Sequence, residues 1–179
     1  IEKLVKKGYK INFIEMGATK IALDGYKLRD KIKKLQKNKN FLFTEVWLEY
    51  ANVIEFFESK NCFAVLTDSG GVQEEMNLIG KPCLTCRFNT DRPETINEAK
   101  SNILIPPISK EFIGKNVEYI FKNQALQKQM ASAKKLYGKN AGEKIIRATS
   151  KLMRSNKPFK WAHEALGLWQ ENEKGIEYL

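Results

Sequence analysis

The hydrophobic residues of this chain form short runs that alternate with segments of helical spacing. Between the runs, Leu28, Ile32 and Leu35 recur at i, i+4 and i+7, which indicates one face of a helix. Strands that alternate with helices are typical of a parallel sheet, so we expect an α/β fold. Five apolar runs are predicted to be its strands, at residues 10–15, 41–44, 62–67, 83–86 and 102–105.

Only helical patterns follow the last predicted strand. Helices are predicted at residues 109–122 and 125–137, and a third through Ala141, Ile145 and Leu152. The Ser-Asn-Lys-Pro run that follows breaks this pattern and indicates a short linker. We therefore expect one domain over residues 1–155 and a C-terminal helical tail over residues 156–179.

The predicted tail carries an aromatic and aliphatic stripe at helical spacing, which includes Trp161, Leu168 and Trp169. Such a face needs a partner surface. We expect it to pack on a further domain or to self-associate, which would make the chain a homo-oligomer.

The overall composition indicates a globular chain with a strongly basic surface. Of its 179 residues 42% are hydrophobic, enough for a folded core, and no apolar run approaches the roughly 20 residues of a membrane span. The net charge of +10 suits phosphate-bearing partners, but without basic and aromatic residues interleaved we do not expect nucleic acid. Because residue 1 is Ile and not Met, the sequence is expected to be a piece of a longer protein.

The three cysteines do not form a recognisable disulfide or metal pattern. Cys83 and Cys86 are spaced as C-x-x-C, but no second pair accompanies them and the one histidine, His163, is remote. We expect structural thiols, no bound metal, no cofactor and a reducing, cytoplasmic setting.

The chemistry of the chain is concentrated where the third predicted strand ends. Ser69, Gly70 and Gly71 form a small-residue turn between this strand and a helix predicted at residues 72–79. Glycines allow close approach to the backbone, and the first amides of a helix attract anions. This turn is therefore a candidate phosphate site.

The motifs around this turn carry a family resemblance. The chain reads T-D-S-G-G-V-Q-E-E at residues 67–75, G-K-P at 80–82 and R-F-N-T-D-R-P-E at 87–94. It resembles the UDP-N-acetylglucosamine 2-epimerase family, which has two Rossmann-like domains in the glycosyltransferase-B arrangement. The resemblance implies that this chain is the C-terminal half, a parallel sheet flanked by helices, and that its N-terminal partner domain is missing.

The resemblance also implies roles for individual residues. Ser69, Gly70 and Gly71 would meet the diphosphate of UDP or UDP-N-acetylglucosamine, Glu75 would hold the ribose hydroxyls, and Arg92 would contact the ligand. The family's catalytic histidine and acidic groups have no counterpart here, so the catalytic residues are unknown and the isolated chain is expected to be inactive. Two alternatives stay open: another glycosyltransferase-B-type enzyme, or a non-enzymatic basic binding module.

Overall fold

The computed structural model describes residues 1–154, which fall into two compact units. The first unit is Ile1–Tyr137 and the second begins at Gly138. The first unit contains α1 (Glu2–Lys6), β1 (Ile11–Glu15), α2 (Gly17–Gly25), α3 (Arg29–Leu35), β2 (Phe41–Glu45), α4 (Tyr50–Glu58), β3 (Val65–Thr67), α5 (Gly70–Ile79), β4 (Cys83–Thr85), α6 (Pro93–Asn97), β5 (Asn102–Leu104), α7 (Lys110–Lys122) and α8 (Gln124–Ala131). The second contains α9 (Ala141–Arg154).

All five predicted strands are present and every pairing is parallel, which confirms the α/β prediction. They form two sheets, however: β1 pairs with β2, and β4 lies between β3 and β5. In the second sheet Thr67 lies opposite Thr85, and Thr85 opposite Leu104, so the carboxyl ends of these strands are level. The third strand is shorter than predicted because the amide of Cys62 closes a turn on the carbonyl of Ser59 at 3.3 Å.

The core of the first unit is built where helices cover the strands. Leu84 and Ile105 pack with Val117 and Ile120 of α7, and all four are nearly inaccessible. A second cluster brings Met76 of α5 against β4 and the end of α4. Burial of a large aliphatic side chain contributes roughly 1.5–3 kcal/mol, so these contacts fix α5 and α7 on the sheet.

The ends of α5 and α8 show how local chemistry sets helix length. Gly80 follows α5 in the left-handed conformation with φ of 83°, so the helix ends at Ile79, where the predicted helix 72–79 also ends. A Cβ on Gly80 would lie 3.1 Å from the carbonyl of Ala131. The predicted helix 125–137 is wrong at its end, since α8 stops at Ala131. Buried Asn77 accounts for this, because it donates to the Lys134 carbonyl and accepts from the Leu136 amide, both at 2.9 Å.

The second unit is described up to Arg154. Its helix α9 confirms the stripe predicted from Ala141 onward. The predicted boundary at residue 155 and the tail 156–179, with Trp161, His163 and Trp169, lie outside the described residues. None of the helices in residues 1–154 has the length and apolar composition needed to cross a membrane.

Candidate functional site

An open depression of about 560 Å³ lies at the carboxyl ends of the second sheet. Ligands of open α/β sheets bind outside the carboxyl ends of the strands, so this is where a site is expected. The lining side chains come from the segments that directly follow β3, β4 and β5: Asp68, Cys86, Arg87, Phe88, Asn89 and Pro107.

The predicted glycine turn lies beside this depression, where β3 is followed by α5. The helix begins two residues earlier than predicted, so Gly70 and Gly71 form its first turn. Ser69 is the N-cap residue of α5, but its side chain makes no capping hydrogen bond, so its hydroxyl is not used by the helix. Its amide donates to Thr67 Oγ1 at 3.0 Å, which shapes the turn. A Cβ on Gly71 would meet nothing within 4 Å, so the backbone of the turn is open at this point.

Glu75 lies one helical turn beyond the glycines and is half-buried. The Tyr50 side chain at the start of α4 lies near its carboxylate. Partial loss of hydration and the nearby Glu75 carboxylate raise the pKa of Tyr50 to about 12, so the phenol stays protonated and is able to donate a hydrogen bond. The structure thus gives Glu75 a partner that the sequence did not predict.

Arg92 is held by two carboxylates at the start of α6. Its Nε donates to Glu74 of α5, and its Nη1 lies 3.2 Å from Asp91 Oδ2. The hydrogen bond with Glu74 is the main cause that raises the pKa of Arg92. The predicted ligand-binding arginine is therefore brought to the helix that carries Glu75, but its charge is already paired.

A buried amide connects this arginine loop to the glycine turn. Gln73 is fully inaccessible; its Nε2 donates to the Ser69 carbonyl at 3.2 Å, and its Oε1 accepts from Thr90 Oγ1 at 2.6 Å and Asn102 Nδ2 at 2.9 Å. Asn102 also accepts from Thr85 Oγ1 at 2.8 Å. The turn, the loop and β5 are thereby fixed to one another.

The sequence did not assign this positioning role. Gln73 and Thr90 stand within the motifs, but Asn102 gave no signal because a polar residue in a short strand looks like an exposed one. The motif lysine Lys81 is also structural: its Nζ donates to the carbonyls of Ser59 and Cys62, both at 2.8 Å.

The cysteines behave as structural thiols. All three are free, and Cys83 is fully buried in β4. Burial raises the pKa of the Cys83 thiol to about 12 and also raises that of Cys86, where the charge of Asp68 adds to the effect. Thiols with raised pKa are poor nucleophiles and poor redox groups. Within residues 1–154 no three His, Cys, Asp or Glu side chains are grouped as metal ligands.

The chain is similar in sequence to known proteins. The sequence model of the UDP-N-acetylglucosamine 2-epimerase family matches residues 19–150. The UDP-N-acetylglucosamine 2-epimerase of Methanocaldococcus jannaschii is 38% identical over 130 residues, which cover 72% of this chain and 32% of that protein. The Bacillus subtilis enzyme of the same name is 34% identical over 101 residues, covering 55% of this chain and 26% of that protein.

Solved structures of the same family have a similar fold. The crystal structure of the M. jannaschii enzyme in complex with UDP-GlcNAc and UDP has a TM-score of 0.68 at 33% identity, over 84% of this chain and 38% of that one. A putative UDP-N-acetylglucosamine 2-epimerase from Listeria monocytogenes has a TM-score of 0.65 at 26% identity, over 84% of this chain and 38% of that one.

The parallel strands, the flanking helices and these structural relatives define part of a glycosyltransferase-B-type α/β fold. The chain belongs to the UDP-N-acetylglucosamine 2-epimerase family. It spans a third or less of the length of these curated relatives.

Proposed function

We propose that this chain is the nucleotide-binding half of a UDP-N-acetylglucosamine 2-epimerase and that it holds the UDP part of the substrate. The observation that carries the proposal is the open glycine turn at the N-terminus of α5, which follows β3 at the carboxyl end of a parallel sheet. Unused amides at a helix N-terminus and a free serine hydroxyl are suited to a diphosphate. The related M. jannaschii structure, which contains UDP-GlcNAc and UDP, supports the same ligand.

In this proposal the diphosphate lies against Ser69, Gly70 and Gly71. Glu75 accepts hydrogen bonds from the ribose hydroxyls, for which a carboxylate has two oxygens available. The Tyr50 hydroxyl, which stays protonated beside Glu75, orients that carboxylate. Arg92 contributes positive charge near the phosphates once its pairing with Glu74 and Asp91 loosens.

The proposed reaction of the whole enzyme inverts C2 of UDP-N-acetylglucosamine to give UDP-N-acetylmannosamine. The C2 proton is removed and UDP leaves from C1. The resulting glycal is then re-protonated on the opposite face of C2, and UDP is rejoined to C1. This domain holds and stabilises the departing diphosphate. The acids and bases over the sugar ring belong to the other domain, so this chain alone binds and does not turn over substrate.

Calorimetric titration of the chain with UDP tests the proposal, with Gly71→Val as the disrupting variant. UDP should bind in saturable one-to-one fashion, and a bulky side chain on Gly71 should remove binding while the far-ultraviolet circular dichroism stays unchanged. A titration with a DNA duplex in rising salt distinguishes a basic nucleic-acid module. If the duplex binds and UDP does not, the proposal is wrong.

We also propose a cytoplasmic location for the enzyme. The support is that Cys62, Cys83 and Cys86 are all free, as thiols are in a reducing compartment.

A further inference from the structure

A carboxylate already lies against the glycine turn. If Gly70 carried a Cβ, that atom would be 3.0 Å from Asp91 Oδ2 and 3.1 Å from Oδ1. The same construction at Gly71 meets nothing within 4 Å. One side of the turn is therefore open, and the other side faces a negative charge. Both lie at the N-terminus of α5, where the helix dipole favours anions.

Two arginines hold this carboxylate, one at each oxygen. Arg87 Nη1 lies 3.0 Å from Asp91 Oδ1, and Arg92 Nη1 lies 3.2 Å from Oδ2. Arg92 is also bound by Glu74. The four side chains carry two positive and two negative charges, so the group is neutral although it contains two guanidiniums.

The backbone of the loop that carries Asp91 is fixed by hydrogen bonds, whereas the Asp91 carboxylate is held only by exposed ion pairs. Thr90 Oγ1 is fixed by Gln73 and also accepts from the Arg92 amide at 3.0 Å. The Asp91 side chain is 55% exposed. Its pKa is lowered by a backbone hydrogen bond and by the two arginines, which keeps it charged at neutral pH. An exposed ion pair is weak and exchanges readily for a stronger partner.

We propose that Asp91 is a built-in competitor of the substrate diphosphate, which displaces this carboxylate and takes over Arg87 and Arg92 as its own counter-charges. The inference rests on the proposed function, because it takes the ligand to be a nucleoside diphosphate at the Ser69–Gly71 turn. It adds Arg87 as a phosphate-binding residue and Asp91 as a residue that limits affinity and thereby allows UDP to leave.

Charge and phosphate number determine the expected size of the effect. Two unit charges about 4 Å apart in a water-exposed site change an equilibrium constant by roughly fivefold. Asp91→Asn, which keeps the side-chain shape, should therefore bind UDP about fivefold more tightly. The gain should be smaller for UMP, which has one phosphate, and it should shrink as salt rises.

The test is calorimetric titration of the full chain and its variants with UDP and with UMP at low and high salt. Asp24→Asn is the matched control, because Asp24 is 54% exposed and is also paired with an arginine, Arg29, in another part of the first unit. Its UDP affinity should equal that of the parent chain. Arg87→Gln should weaken UDP binding and should cancel the gain when it is combined with Asp91→Asn.

The binding results for these variants distinguish failure of the inference from failure of the proposed function. Tighter UDP binding in Asp91→Asn but not in Asp24→Asn, with the gain lost in the double variant, supports the inference. Unchanged or weaker UDP binding in Asp91→Asn, or unchanged binding in Arg87→Gln, overturns it while the proposed function stands. If neither the parent chain nor Asp91→Asn binds UDP, the proposed function fails as well.

Discussion

Replacing Gly71 with alanine should separate the stability of this domain from its ability to bind UDP. Gly71 lies in the first turn of α5, has no positive φ, and a Cβ there would meet nothing within 4 Å. An alanine fits this backbone without strain and restricts the unfolded chain. The free energy of unfolding should rise by about 0.4–1 kcal/mol, which corresponds to a Tm increase of roughly 1–4 °C.

The same methyl group occupies the open space where the diphosphate is proposed to contact the backbone. A hydrogen bond to a charged group contributes about 1.5–3 kcal/mol. Loss of one such contact should weaken UDP binding by at least about tenfold, since each ~1.4 kcal/mol changes the dissociation constant by a factor of ten. Urea denaturation and calorimetric titration on the same sample measure both effects.

Gly114→Ala is the matched control. Gly114 lies inside α7, where a Cβ also meets nothing within 4 Å, and it is not part of the turn. Its stability should rise by a similar amount and its UDP affinity should not change. Equal UDP affinity in the two alanine variants would refute the placement of the diphosphate, and a destabilised Gly71→Ala would refute the open geometry of the turn.

Three further predictions concern other parts of the site. In calorimetric titrations, Glu75→Ala should weaken UDP binding by about tenfold or more, and Glu74→Ala should weaken it by less. The reverse order would show that Glu75 is not the carboxylate that binds the ribose. Gln73→Leu should lower the free energy of unfolding, measured in urea, by about 1–3 kcal/mol, because Thr90 and Asn102 lose a buried hydrogen-bond partner. The control Gln129→Leu, on the exposed face of α8, should change it little. Hydrogen bonds from Lys122 and Lys7 lower the pKa of Glu118 to about 2, so its ion pairs should stabilise the fold above the unfolded pKa of about 4.5 and this stability should be lost as the pH falls toward 2. If the free energy of unfolding of Glu118→Gln falls over this pH range as steeply as that of the parent chain, the prediction is wrong.

Much of the fold could be predicted because its signals are local. Five apolar runs and the helical stripe on α3 follow directly from side-chain period, and Gly80 marks the end of α5 because glycine alone adopts its positive φ without cost. The end of α8 could not be predicted, since a buried amide 57 residues away, that of Asn77, binds the backbone where the pattern continues as a helix. The division of the strands into two sheets likewise depends on pairing between distant segments.

The candidate site was predictable as a set of residue types and less so as an arrangement. Ser69, Gly70 and Gly71 lie at the expected passage from strand to helix, although both glycines belong to the helix. The pairing of Arg92 with Glu74, and of Glu75 with Tyr50, joins residues from separate loops and helices. Nothing in the sequence shows that Asp91 reaches the glycine turn, because that contact depends on the loop held by Gln73. The roles of these residues toward UDP stay predictions.

Mapping UDP on the chain by nuclear magnetic resonance tests the central claim most directly. In a titration of the 15N-labelled chain, the amide signals of Ser69, Gly70, Gly71 and Val72 should shift most and saturate together, because these groups are proposed to face the diphosphate. The lysine-rich helix α3 should show only small, salt-sensitive changes. Saturable shifts concentrated on α3, with the turn unchanged, would contradict the account and would indicate a basic surface in place of a nucleotide-sugar site.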